Sequence, residues 1–197
     1  MSVTLPTTPG PRKMDPHFLD FGGNQKPSTG GKVQRINRLG DRFGFDVEIG
    51  PVEAEPWGRI WASRMVQARR LGALMRVKQP GIDTGNPGAP VVDGAGQAGS
   101  VLSLKGITAG YTLREGQFLS LIVGGRRYLY QCASDATATG GGLVTTSLTT
   151  MLREPPTNGA VAEIAQPMVE GLIMTDVAWS PDLAAHYGFA FTLDEAE

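Results

Sequence analysis

Apolar and polar residues alternate between Arg42 and Ile49: Phe43, Phe45, Val47 and Ile49 are separated by Gly44, Asp46 and Glu48. A period of two puts one side of a strand in a core and the other in water. Gly50-Pro51 then stops the strand. The period changes soon afterwards. From Pro56 to Leu71, Trp57, Ile60, Trp61, Met65, Ala68 and Leu71 share one helical face, with Arg59, Ser63, Gln67 and Arg70 opposite. Pro56 suits a first helical position and Gly72 a terminator. Arg64 falls inside the apolar arc, so it must snorkel or find a partner.

The rest of the pattern reads as short strands. Leu74–Val77 and Ser100–Leu104 flank a glycine-rich loop over 80–100. Gln117–Val123 and Arg126–Cys132 form a hairpin about Gly124-Gly125. Leu143–Leu152, Val161–Ala165, Met168–Met174 and Gly188–Leu193 complete the set. Pro155-Pro156-Thr157-Asn158-Gly159 is a turn. The expected fold is mainly β: an antiparallel sandwich or barrel-like domain with one packed helix. Residues 1–31 have five prolines and little periodicity. They are expected to form an extended arm outside the core, with Phe18, Leu19 and Phe21 as a small apolar knot. Residues 32–197 would then be a single β-rich domain.

Composition agrees with that picture. The chain has 197 residues, 27 glycines and 14 prolines, which favours many short elements joined by turns. Its net charge of −1 argues against a dedicated nucleic-acid binder. The charges are unevenly placed. Arg59 to Lys78 holds six basic residues and no acids; after Arg153 come eight acids and no Lys or Arg. The two regions could neutralise each other within one molecule. They could instead meet head to tail between copies, with Arg59, Arg69 and Arg70 facing Asp194 and Glu195. Phe18 and Phe21 are the matching candidates in the arm.

Little in the sequence suggests catalysis. Cys132 is the single cysteine; it lies in an alternating run and is expected to be a buried structural thiol. His17 and His186 have no second ligand at zinc spacing. A Ser-His-Asp site would need His186 with Asp176 or Asp182, and no GxSxG elbow accompanies them. Gly94, Gly96 and Gly99 match the GxGxxG spacing, but a strand follows rather than the helix a dinucleotide site requires. No catalytic, metal or cofactor site is therefore expected. No apolar run is long enough for a membrane span, and MSVTLPTTPGPRK lacks the apolar region of a secretory signal; synthesis in the cytoplasm is expected.

Between about Arg42 and Leu193 the order of segments resembles the distal tail proteins of long-tailed (siphovirus-type) bacteriophages and of phage-like gene-transfer particles. The segments are FGFDVEIGP, WGRIWASRMVQARRLG, PGAPVVDGAGQAGSVLSLKG, LREGQFLSLIVGGRRYLYQ, GGLVTTSLTTMLREPP before PTNGAV, and YGFAFTLDEAE. The resemblance implies a β-sandwich belt domain with a helix and a protruding hairpin. It implies a non-enzymatic virion protein, six copies of which form a ring joining the tail tube to the tail-tip hub. Its partners would be further copies, the tube protein, the hub protein and the tape measure protein, with no membrane and no sequence-specific nucleic acid. Larger members add a carbohydrate-binding-like C-terminal domain, for which this chain leaves no room. An alternative is a carbohydrate- or ligand-binding module of a tail tip, with Tyr128, Tyr130 or Trp179 as its aromatic platform.

Overall fold

The computed structural model describes residues 1–181 and 186–196. The N-terminal strands are β1 (Val3–Thr4) and β2 (Lys13–Leu19). A hairpin of β3 (Gly23–Gln25) and β4 (Gln34–Ile36) precedes the long strand β5 (Arg42–Glu53). A π-type turn, Ala54–Gly58, leads to helix α1 (Arg59–Leu71) and β6 (Ala73–Arg76). The middle of the chain holds β7 (Gly88–Val92), β8 (Val101–Ile107), β9 (Thr112–Leu113) and β10 (Phe118–Val123). It continues with β11 (Arg126–Gln131), β12 (Ala136–Thr137), β13 (Val144–Ser147) and β14 (Ala162–Glu163). The last strands are β15 (Met168–Ile173), β16 (Ser180–Pro181) and β17 (His186–Glu195).

The protein is mainly β, with several sheets. The main sheet has the order β1-β6-β15-β17-β5-β2, with β16 beside β17. Smaller sheets are β11-β10-β14, β13-β8-β7, β12-β9 and β3-β4. Among the described residues none closes into a barrel, so that form of the expected fold is set aside. The neighbours β6 and β15 pair from Met168↔Arg76 to Gly171↔Ala73, and the Val77 amide donates to the Pro167 carbonyl at 2.8 Å. Residues 77–167 thus leave the main sheet and return beside their point of departure.

That inserted segment has its own core, with Leu102, Leu104, Leu119, Leu121, Tyr130 and Cys132 among its buried residues. A second apolar cluster lies against the main sheet and includes Phe45, Ile49, Trp61, Met65, Phe189 and Phe191. Phe118 bridges the units: its ring lies 5.2 Å from Phe43 and 6.0 Å from Phe45. The hairpin turn expected at Gly124-Gly125 is present. Val123 pairs with Arg126, and both glycines have positive φ, as a two-residue type I′ turn demands.

The helix starts later than expected. Glu55 is extended (φ −121°, ψ 127°), as the residue before a proline tends to be, and regular α-helix begins at Arg59. Its buried stripe is Trp61, Met65 and Ala68. Trp57 and Leu71 are 37 % and 60 % exposed, because the helix meets the core only along its middle turns. Arg64 donates to the Thr4 carbonyl at 2.5 Å, which resolves its place within the apolar arc.

Of residues 1–31, the stretch up to Leu19 does not form an arm outside the core. Lys13–Leu19 pairs with β5 along its whole length, β1 runs parallel to β6, and Leu5 is buried in the main core. Pro16 hid the strand. A proline is tolerated here because β2 is the edge of the sheet. Leu5→Ala should therefore lower unfolding free energy by about 2–5 kcal/mol. A urea midpoint equal to that of the wild type would return the segment to the status of a loose arm.

Other bounds shifted. The run from Leu143 to Leu152 keeps only Val144–Ser147 as strand, although Leu148 and Leu152 stay buried. Val161–Ala165 contracts to Ala162–Glu163, while the last strand lengthens to His186–Glu195. The Gly94–Gly99 loop joins two strands and opens no helix. Its Gln97 amide donates to the Asp93 carbonyl at 2.7 Å, and the Ser103 amide donates to Gln97 Oε1 at 2.7 Å. That is a fastened connection between strands.

Candidate interaction surfaces

Four of the eight acids after Arg153 have partners inside the molecule. Glu163 pairs with Arg127 at 3.0 Å. Glu170 accepts from the Ser2 hydroxyl at 2.6 Å and from the Arg127 amide at 2.9 Å. Asp194 lies 3.1 Å from His17 Nε2. Glu195 is 1 % exposed; it pairs with Arg153 and accepts from the Leu129 amide at 2.7 Å. Burial pushes its carboxyl pKa up, while Arg153 pulls the other way. A carboxylate so enclosed cannot meet a neighbouring subunit, so Glu195 is withdrawn as an interface residue.

The basic helix is also partly committed. Arg59 pairs with Glu55 at 2.6 Å on the surface, and Arg69 donates to the Ile173 carbonyl at 2.8 Å. Arg70 is exposed. Arg127 and Arg153 of the inserted unit thus neutralise two of the acids, Glu163 and Glu195, within the fold. Of the charged residues expected at a contact between the basic helix and the acidic third, Glu195 is enclosed and Arg59 is paired, while Arg69 and Arg70 stay exposed.

Phe18 and Phe21 are 50 % and 44 % exposed, and each has an internal neighbour. The Phe18 ring lies 5.7 Å from Phe43, and the Arg42 guanidinium lies 4.6 Å from the centre of the Phe21 ring. Beyond them the chain projects. Residues 23–39 are all exposed, and β3 and β4 pair only with each other. This hairpin carries Lys26, Lys32, Arg35 and Arg38 with no acid between them. It also leaves Val33, Ile36 and Leu39 in solvent. That run of charge was readable in the sequence, but no strand pattern marked it as a projection.

The main sheet is covered on one face only. Along β5, Phe45, Val47 and Ile49 are buried while Asp46 and Glu48 are exposed. Along β17, Phe189, Phe191 and Leu193 are buried while Ala190 is exposed. On the open face Asp15 lies directly across from Asp46 and Lys13 across from Glu48. Lys13 pairs with Asp15. His17 lies between Asp46 and Asp194, with its Nδ1 3.7 Å from Asp46. Gly44 makes this approach possible, because a Cβ there would run into the His17 ring and the Asp194 carboxylate. A groove of about 300 Å³ is lined here by Asp15, Asp46, Glu48, Thr175, Ala190 and Thr192 with their neighbours. A second hollow, about 430 Å³, is lined by Arg12, Arg76 and Lys78 among others. Lys78 already donates to the Pro11 carbonyl at 2.9 Å.

His186 begins β17 opposite Glu53, and Asp182 lies outside the described residues. Among the described residues no group of three His, Cys, Asp or Glu side chains is arranged to hold a metal ion. Of the three candidate platform aromatics, Tyr130 is buried and Trp179 is exposed. Tyr128 is half-buried with the Arg153 guanidinium 5.3 Å from its ring centre. Cys132 is fully buried, and burial pushes its thiol pKa up. It should not react with a disulfide thiol reagent until the protein is unfolded; rapid labelling of the native protein would show that the inserted core opens. No helix among the described residues is long and apolar enough to cross a membrane. Compared with models of known protein families and with curated proteins, the sequence matches none.

Proposed function

We propose that the chain is a structural virion protein: a distal tail component, six copies of which form a ring between tail tube and tail-tip hub. The observation that carries this reading is a β body with one helix and a projecting hairpin, the combination the family resemblance implies. The body is read as a β-sandwich, the main sheet and the sheets of the inserted unit being its layers. The tube, hub and tape measure proteins would be its partners, and the tail tip of the virion its final location after synthesis in the host cytoplasm. Two dissimilar faces on one subunit, the basic hairpin and the acidic sheet, favour a head-to-tail ring.

Light scattering on the purified chain, with negative-stain images of the same sample, tests the proposal. A closed assembly of about six copies is expected, by analogy with closed rings built from heterologous contacts. A chain that stays monomeric at its highest soluble concentration, with and without its tube and hub partners, would remove the ring reading.

A further inference from the structure

We propose that the β3–β4 hairpin of one copy docks on the open, acidic face of the main sheet of the next copy. This rests on the ring reading and names the surfaces that would build it. The hairpin extends the β2–β5 pair beyond the main sheet, and residues 23–39 are exposed throughout. A lone two-stranded ribbon is marginal in water. Val33, Ile36 and Leu39 gain by being covered.

Charge identifies what covers it. Arg35 is held by Asp20 at 2.5 Å, whereas Lys26, Lys32 and Arg38 have no ion-pair partner among the described residues. On the sheet, Asp15 and Asp46 are directly opposed across neighbouring strands. Such like-charged pairs are unfavourable. Lys13 answers Asp15. Asp46 accepts from the Thr192 hydroxyl at 2.7 Å, with His17 Nδ1 at 3.7 Å and Lys13 on the same face, so two basic side chains stand among Asp15, Asp46, Glu48 and Asp194. The Glu48 carboxylate, next along the same face and opposite Lys13, makes no hydrogen bond or ion pair among the described residues. A cation from outside would relieve this face, and the groove beside Asp46 and Glu48 offers a seat for the hairpin's apolar side chains. Because hairpin and face are different surfaces of one subunit, the contact is head to tail and can propagate around a ring.

Two charge-reversed variants test this by sedimentation velocity: Lys26→Glu/Lys32→Glu/Arg38→Glu in the hairpin and Asp46→Lys/Glu48→Lys on the face. Each alone should weaken self-association roughly a hundredfold, as several exposed pairs turn from attractive to repulsive. Mixed in equal amounts, the two should assemble again, because each reversed surface then finds an opposite charge on the other variant. Wild-type assembly by both variants overturns the docking and leaves the ring standing on other contacts. Loss of assembly without recovery on mixing also overturns it, since the two surfaces then do not meet. A wild type that never self-associates overturns the ring and the docking together. If a reversed chain does not fold by circular dichroism, the neutral changes Lys26→Gln/Lys32→Gln/Arg38→Gln or Asp46→Asn/Glu48→Gln replace it. These should weaken association about tenfold, the loss of attraction without added repulsion, and an unchanged association would again overturn the docking.

Discussion

Trp61→Ala should lower unfolding free energy by about 3–5 kcal/mol, the usual range when a large buried aromatic is truncated. Trp61 is 0 % exposed. Its ring lies 6.2 Å from Phe189, and its Nε1 donates to the Pro9 carbonyl at 3.2 Å. One side chain therefore ties the helix to the last strand and to the N-terminal segment. Trp57→Ala, at the exposed end of the same face, should cost less than about 1 kcal/mol, as surface changes usually do. Urea unfolding of the two variants makes the comparison, with unchanged slopes showing that stability alone moved. Equal losses at both positions would mean that the helix packs along its full apolar face.

The second large effect concerns the buried pair between the two units. Glu195→Ala should cost about 3–5 kcal/mol, because Arg153 would remain enclosed without its counter-charge. Arg153→Ala should do the same by stranding the carboxylate. The Arg153 guanidinium also lies 5.3 Å and 5.5 Å from the ring centres of Tyr128 and Tyr130, and its amide donates to the Tyr130 hydroxyl at 3.1 Å. Arg153→Met with Glu195→Leu should recover much of the loss, since apolar replacements of a buried pair are often neutral. A double-mutant cycle reads the coupling. Strictly additive losses would show that the two charges act independently, contrary to their contact.

The parts legible in the sequence were those with one strong local period. The alternation Phe43-Phe45-Val47-Ile49 and the spacing of Trp61, Met65 and Ala68 marked buried faces correctly. The Gly124-Gly125 hairpin was legible because its turn chemistry is local. β2 was missed because Pro16 interrupts its pattern, and only pairing with distant β5 makes it a strand. The two separate cores were also out of reach, since nothing local shows that β6 and β15 are neighbours. The candidate surface suffered in the same way. Glu195 looked like a surface acid among polar residues, and only the fold brings Arg153 and Leu129 around it. The acidic face needs three strands from both ends of the chain before it exists.

The pairing of β5 with β17 has a consequence for biosynthesis. Residues 42–53 leave the ribosome long before residues 186–195, so one edge of β5 waits unpaired while all of the inserted unit is made. An open apolar strand of this kind invites pairing with other nascent chains. β2 precedes β5 in the chain and can protect the opposite edge at once. The inserted unit, with its own apolar cluster, can collapse before the C-terminal strand arrives. Yield in a fast, crowded expression system should thus depend more on temperature and synthesis rate than on the stability of the finished protein.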